Sequence, residues 1–245
     1  SASAVLFVAL IALGGGVYFG NRWLEKQPKP IEMSVRIDPP EATKLEDNAK
    51  PDTLRVLFGG SAAPIERVKK PVTFGVELAP PLQGSWRWDS DRVLTFVPKE
   101  DWPVGESFSV KLMKRGLLAD DVRLTDYGLS FESAPLTGRF TQQEFYQDPQ
   151  DPTQKKVVAT LAFTHPIDKA DFEKRLEVEL VTKKDGAQTV TPYRFQVTYD
   201  KFAATAYVHS DPVRIPDHDS MMMVRVQKGV KAARGGKPTK EPIGT

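Results

Sequence analysis

Few residues in this chain are of a type and spacing that does chemistry. The three histidines, His165, His209 and His218, are far apart and lack the short spacing that brings two imidazoles to one metal. Asp217-His218-Asp219 could in principle bind a cation or relay a proton, but it sits beside Pro216 and reads as a solvated turn. The acidic pairs Asp120-Asp121 and Asp148/Asp151 carry ligands that suit calcium. They lack the glycine-spaced loop that wraps such an ion. No serine lies in a Gly-x-Ser-x-Gly elbow. The glycine cluster 14–16 is embedded in an apolar run and cannot cradle phosphate. With no cysteine there is no thiol nucleophile, disulfide framework or thiol-linked lipid. No catalytic residue, metal site or cofactor site is assigned.

Aromatic and methionine side chains are the remaining candidates, as contact residues. Trp86, Trp88, Phe96, Trp102 and Phe108 form one aromatic set. Alternation assigns Phe96 and Phe108 to a core, where aromatic burial stabilises by several kcal/mol, on the order of 3–5. Trp102, in the loop sequence Asp-Trp-Pro, is kept as a candidate partner contact. In Met221-Met222-Met223, alternation puts Met222 on one face and Met221 and Met223 on the other. Methionine adapts to irregular surfaces, so Met221 and Met223 are candidate contacts as well. The basic pairs Lys155-Lys156 and Lys183-Lys184 fit hairpin edges guarded against strand pairing.

The elements that carry these residues read as β-structure behind an apolar leader. Residues 4–20, AVLFVALIALGGGVYFG, hold no charge and are just long enough to span a bilayer as a helix. Leu6, Leu10 and Leu13 belong to the membrane anchor in this reading, with Tyr18 and Trp23 at the interface. The bulky exit Tyr18-Phe19 favours a retained anchor over a cleaved leader. Arg22, Lys26 and Lys29, taken alone, would place their side of the membrane in the cytoplasm. The glycines at 14–16 read as a tolerated soft spot.

The rest has short alternating strands separated by Pro and Gly. Strands are predicted at 31–37, 53–58, 72–78, 84–88, 93–97, 108–113 and 127–131. A second set follows at 139–146, 156–163, 176–181, 193–199, 204–209 and 221–226. Residues 167–174 have helical spacing with Asp168 as cap. The two sets partly repeat: a strand, a proline-bearing loop, an alternating strand and a closing glycine recur around 96–116 and 210–229. The predicted order is a transmembrane anchor (1–23), a stiff linker (24–33), β-sandwiches at 34–135 and 136–236, and a linker to further domains (237–245). At 245 residues each sandwich is long enough to bury its own core. A formal net charge of +2 gives no case for nucleic acid.

The segment 84–112, GSWRWDSDRVLTFVPKEDWPVGESFSVKL, resembles the first macroglobulin-like domain of bacterial alpha-2-macroglobulin-like proteins. The pattern is W-x-W, then L-x-F-x-P, then W-P-x-G-x-x-F-x-V-x-L. Residues 160–171, TLAFTHPIDKAD, resemble the family's strand-to-helix turn, and 197–200 and 229–236 are similar too. The resemblance covers residues 34–236. It implies tandem immunoglobulin-like macroglobulin sandwiches behind a single-pass inner-membrane helix, with residue 21 onward in the periplasm. It further implies a non-catalytic scaffold of a broad-spectrum protease inhibitor used in bacterial defence. The attacking proteases would be met through regions outside this chain, and inner-membrane or envelope proteins are possible partners. Some members carry a Cys-Gly-Glu-Gln thioester. This chain has no Cys, so that bond lies in another part of the protein or is missing from this member. The resemblance expects the polypeptide to continue past residue 245. The competing reading is a short membrane-tethered β-domain adaptor that binds envelope proteins or glycan.

Overall fold

The computed structural model describes residues 30–214 and 218–244. The anchor residues Leu6, Leu10, Leu13, Tyr18 and Trp23 lie outside them. Among the described residues no helix is long and apolar enough to cross a membrane. The described chain is mainly β, with five sheets over two hydrophobic cores.

The first core is built by alternation. In Gly84–Ser90, Trp86 and Trp88 point inward while Ser85 and Arg87 stay exposed. In Ser107–Leu112, Phe108, Val110 and Leu112 are buried between exposed Ser107, Ser109 and Lys111. Val93–Pro98 departs from this pattern, because Leu94, Thr95 and Phe96 are all buried. It lies inside a five-stranded sheet between Leu54–Phe58 and Gly84–Ser90. The Thr95 hydroxyl is satisfied there by donating to Asp89 Oδ2 at 2.6 Å. Across the core lie a three-stranded sheet centred on Ser107–Leu112 and a parallel pair, Ile31–Met33 with Val122–Leu124.

Two segments predicted as single strands are each divided between sheets. Residues 31–37 split at Ser34 into Ile31–Met33, which joins the parallel pair, and Val35–Asp38, which joins the five-stranded sheet. Residues 72–78 split at Gly75, which has φ +92°. Pro71–Val72 pairs with Gly84–Ser90, and Val76–Ala79 pairs with Ser107–Leu112. A β-carbon on Gly75 would lie 2.8 Å from Leu117 Cβ, so both the turn and the close approach require glycine.

The second core lies between a four-stranded sheet and a three-stranded sheet. The first is ordered Gly138–Gln147, Lys155–Phe163, Thr205–Ser210, Phe195–Tyr199. The second is ordered Ala187–Pro192, Leu176–Lys184, Ser220–Val226. The strand Ala187–Pro192 was not predicted. It returns through Asp185-Gly186, both at positive φ (50° and 80°), as a tight hairpin turn requires. The helix Lys169–Arg175 closes one end and buries Phe172 completely. Its cap is Asp168, whose Oδ1 accepts the Asp171 N–H at 3.1 Å.

Residues 237–243 are packed, although their polar composition predicts a linker. Ile243 is buried in the second core and exchanges backbone hydrogen bonds with Val226, both at 2.9 Å. Thr239 is also buried, and its hydroxyl accepts the N–H groups of Gly229 and Val230.

Candidate functional site

Loop 101–106 builds the junction between the two β-units. Trp102 turns back into the first core. It lies edge-on to Phe108, Phe131 and Phe96 at centroid distances of 5.2, 5.7 and 5.8 Å. Its Nε1–H donates to the Asp52 carbonyl at 2.8 Å. Val104, two residues on, is buried in the second core. Its carbonyl accepts the Lys237 N–H at 2.8 Å, and it bridges to Gly236. A β-carbon on Gly236 would meet Val104 O at 2.4 Å, so only glycine allows this approach.

Ser133 fixes the base of the loop. Its hydroxyl donates to the Pro103 carbonyl and accepts the Glu106 N–H at 2.9 Å. Thr164 pins the crossover between the units: its hydroxyl accepts the Thr137 N–H and reaches the Pro135 carbonyl. Arginine and lysine side chains then close the seam. Asp47 pairs with Lys201 at 2.6 Å, Asp101 with Arg234, Glu106 with Lys237 at 3.9 Å and Glu132 with Lys240 at 3.8 Å. Among the described residues, every ion pair across the seam has its acid in the first unit and its base in the second. Exposed pairs of this kind are worth about 0.2–1 kcal/mol each, so they set orientation more than affinity.

Residues 41–49 of the first unit arch over the seam. Glu41 N–H donates to Asp52 Oδ2 at 2.8 Å, and the Thr43 hydroxyl donates to Asp101 at 2.7 Å. Under the arch is a cavity of about 230 Å³, lined in part by Leu45, Asp101, Trp102, His165 and Arg234. Burial holds the His165 pKa below its ordinary value of 6.5. Its Nδ1 lies 3.0 Å from the Thr164 hydroxyl. That hydroxyl is already engaged by backbone groups, so the pair is not arranged as base and nucleophile.

The contact candidates fall differently. Trp102, expected as a partner contact, is only 8% exposed, and its ring packs in the first core. Met221 is 59% exposed, opposite Val181 and near exposed Val190, and Met223 is half-buried opposite Glu179. Met222 packs against the second core, as alternation requires. Beside them Arg225 is held between Glu177 and Glu179 at 2.7 and 2.9 Å. Asp148 and Asp151 are turn formers: their carboxylates accept the N–H groups of Gln150 and Thr153 at 2.8 and 3.1 Å.

No protein-family profile matches the chain. It is, however, 30% identical over 242 residues, 95% of its length, to the alpha-2-macroglobulin homolog of Yersinia pestis. It is 33% identical over 220 residues, 87% of its length, to the alpha-2-macroglobulin of Pasteurella multocida. This is an alpha-2-macroglobulin-like chain. A third relative, the alpha-2-macroglobulin of Rickettsia conorii, is 23% identical over 161 residues, 66% of the chain. The alpha-2-macroglobulin-like chain spans 12% of the length of each of the first two relatives and 8% of the third.

Two expectations follow for this junction. Trp102→Ala should destabilise the first unit by about 3–5 kcal/mol in urea unfolding, whereas a surface contact would change stability by under about 0.5 kcal/mol. For His165 the folded pKa is depressed, so the unfolded chain binds the proton more readily. Stability at the junction is therefore full above the ordinary value of 6.5 and falls as the pH drops below it. The unfolding midpoint should decline from about pH 7.5 to about pH 5, and His165→Gln should flatten that part of the profile.

Proposed function

We propose that these residues are the non-catalytic, membrane-anchored scaffold at the start of a bacterial alpha-2-macroglobulin-like protease trap. In this reading residues 4–20 cross the inner membrane, and the two β-units are immunoglobulin-like macroglobulin sandwiches in the periplasm. The observation that carries it is the similarity over nearly the whole chain to proteins about eight times longer. In this reading the segment supports the rest of the protein, and loop 101–106 gives it a seam that joins its two units.

The trap itself, with whatever segment an attacking protease would cut, belongs to the remainder of the protein in this reading. The described residues offer backbone-engaged hydroxyls and turn-forming carboxylates in place of a nucleophile paired with a base.

The test is the size of the native polypeptide in washed bacterial membranes, detected with an antibody to residues 34–135. A band about eight times the present 27.3 kDa is expected, resistant to carbonate extraction and cleaved by added protease only after the outer membrane is opened. A band close to 27.3 kDa would overturn the protease-trap reading in favour of a short tethered adaptor for envelope proteins or glycan.

A further inference from the structure

The first β-unit has two poles, and register identifies them. Val35–Asp38 starts opposite the end of Leu54–Phe58, and Val93–Pro98 starts at the same level, Leu57 facing Val93. Ile31 N–H donates to Asp121 O at 2.7 Å, and Ala119 N–H donates to Ala62 O at 2.9 Å. Loops 59–70 and 113–121 therefore share one pole with residue 31. The opposite pole carries residues 41–52 and loop 101–106, and it is closed by the second unit. The pole at residue 31 has no such cover among the described residues.

That pole carries a compact group of apolar and basic side chains. Ile65, on the 3-10 turn Ile65–Arg67, is 86% exposed, and Phe74 is 61% exposed. They belong to one surface: Arg67 donates to the Gly116 carbonyl, and Phe74 packs on Gly116, where a β-carbon would lie 2.6 Å from its ring. Around them Arg67, Lys69 and Lys70 from one loop and Lys114 and Arg115 from the other are all exposed. Within loops 59–70 and 113–121 these five cations face three acids, Glu66, Asp120 and Asp121. Asp89 and Asp91 on the adjoining loop are engaged, Asp89 by Arg87 and Thr95 and Asp91 by Arg92. Asp121 lies beside residue 31, whose N–H its carbonyl accepts at 2.7 Å.

Two apolar side chains standing out from a cluster of cations match an anionic bilayer surface, where the rings and chains enter the headgroup region and the cations meet phosphate. The position fits as well. Residues 21–30 separate this pole from the apolar run 4–20 and reach at most about 35 Å when fully extended. We infer that this pole, through Ile65, Phe74 and the basic residues around them, docks on the anionic headgroups of the membrane that holds the anchor. The geometry rests on the anchor reading above, but the chemistry of the patch does not.

These 245 residues hold no cysteine, so within them Ile65→Cys gives a unique thiol at an exposed site. The full chain carrying an environment-sensitive fluorophore at position 65 is mixed with vesicles of phosphatidylethanolamine and phosphatidylglycerol that contain a lipid-borne quencher. The same label at Val190→Cys, on the second unit, is the reference. Quenching at 65 is expected to exceed that at 190 by at least about three-fold. It should fall to the reference level in phosphatidylcholine vesicles, in high salt, or with Lys69→Glu and Lys70→Glu together. Equal quenching at both sites overturns the inference. So does quenching at 65 that ignores lipid charge, which would reflect the short tether alone. Protection of position 65 in native membranes but not in lipid vesicles overturns it in favour of a protein partner. Carbonate extraction reports the anchor separately. Protein stripped by carbonate yet quenched at 65 beforehand supports the patch and sinks the anchor, and a chain that binds no vesicle sinks both.

Discussion

Trp102 and Val104 are two residues apart on one loop, and they are buried in different hydrophobic cores. Side chains at i and i+2 of an extended segment would share a face. The loop is not extended here: Ser133 holds the Pro103 carbonyl and the Glu106 N–H, and Gly105 follows at φ +62°. Neither core can therefore shift by a few ångströms without dragging a buried side chain of the other. Most other features of the junction follow from that constraint. Gly236 is required because its backbone passes against Val104, and residues 237–243 return along the seam to place Ile243 in the second core.

Two kinds of interaction meet there and do different work. Burial of Trp102 and Val104 removes apolar area from water at roughly 25 cal/mol per Å², which makes it the main stabilising term. The four ion pairs, all exposed except at Asp101, add little energy individually, yet their common polarity penalises any docking that brings acid to acid or base to base. The arch 41–49 spans both kinds, since Thr43 bonds Asp101 and Asp47 meets Lys201. Under the proposed function, a joint fixed in this way would transmit the position of a membrane-held first unit to everything beyond the second.

Much of this was legible in the sequence. Strict alternation gave the buried faces of 84–90 and 107–112, and the Asp168 cap gave the helix. What was missed has physical reasons. A strand that changes sheets, as at Ser34 and Gly75, keeps its apolar pattern while losing its pairing partner, so composition alone joins the halves. The hairpin at Asp185-Gly186 did carry its signal, because the dipeptide favours two successive positive φ angles. Trp102 in a proline-bearing loop looked like a surface residue, since its burial depends on Phe108 and Phe131 from distant strands. The docked tail has one apolar residue, Ile243, among polar neighbours. Its order comes from the groove it enters and not from any periodicity of its own.

The most direct test of the fixed joint is amide hydrogen exchange at Lys237. Its N–H donates to Val104 across the seam, in a segment whose composition predicts a free linker. If the loop ties the two cores together, this amide should be protected to about the same degree as the second-core amide of Phe163, which donates to the Ala204 carbonyl, and should open only with the second unit. Exchange near the rate of an unstructured peptide, with Phe163 still protected, would mean that the seam opens while the second core stays folded, and the rigid joint would have to be abandoned.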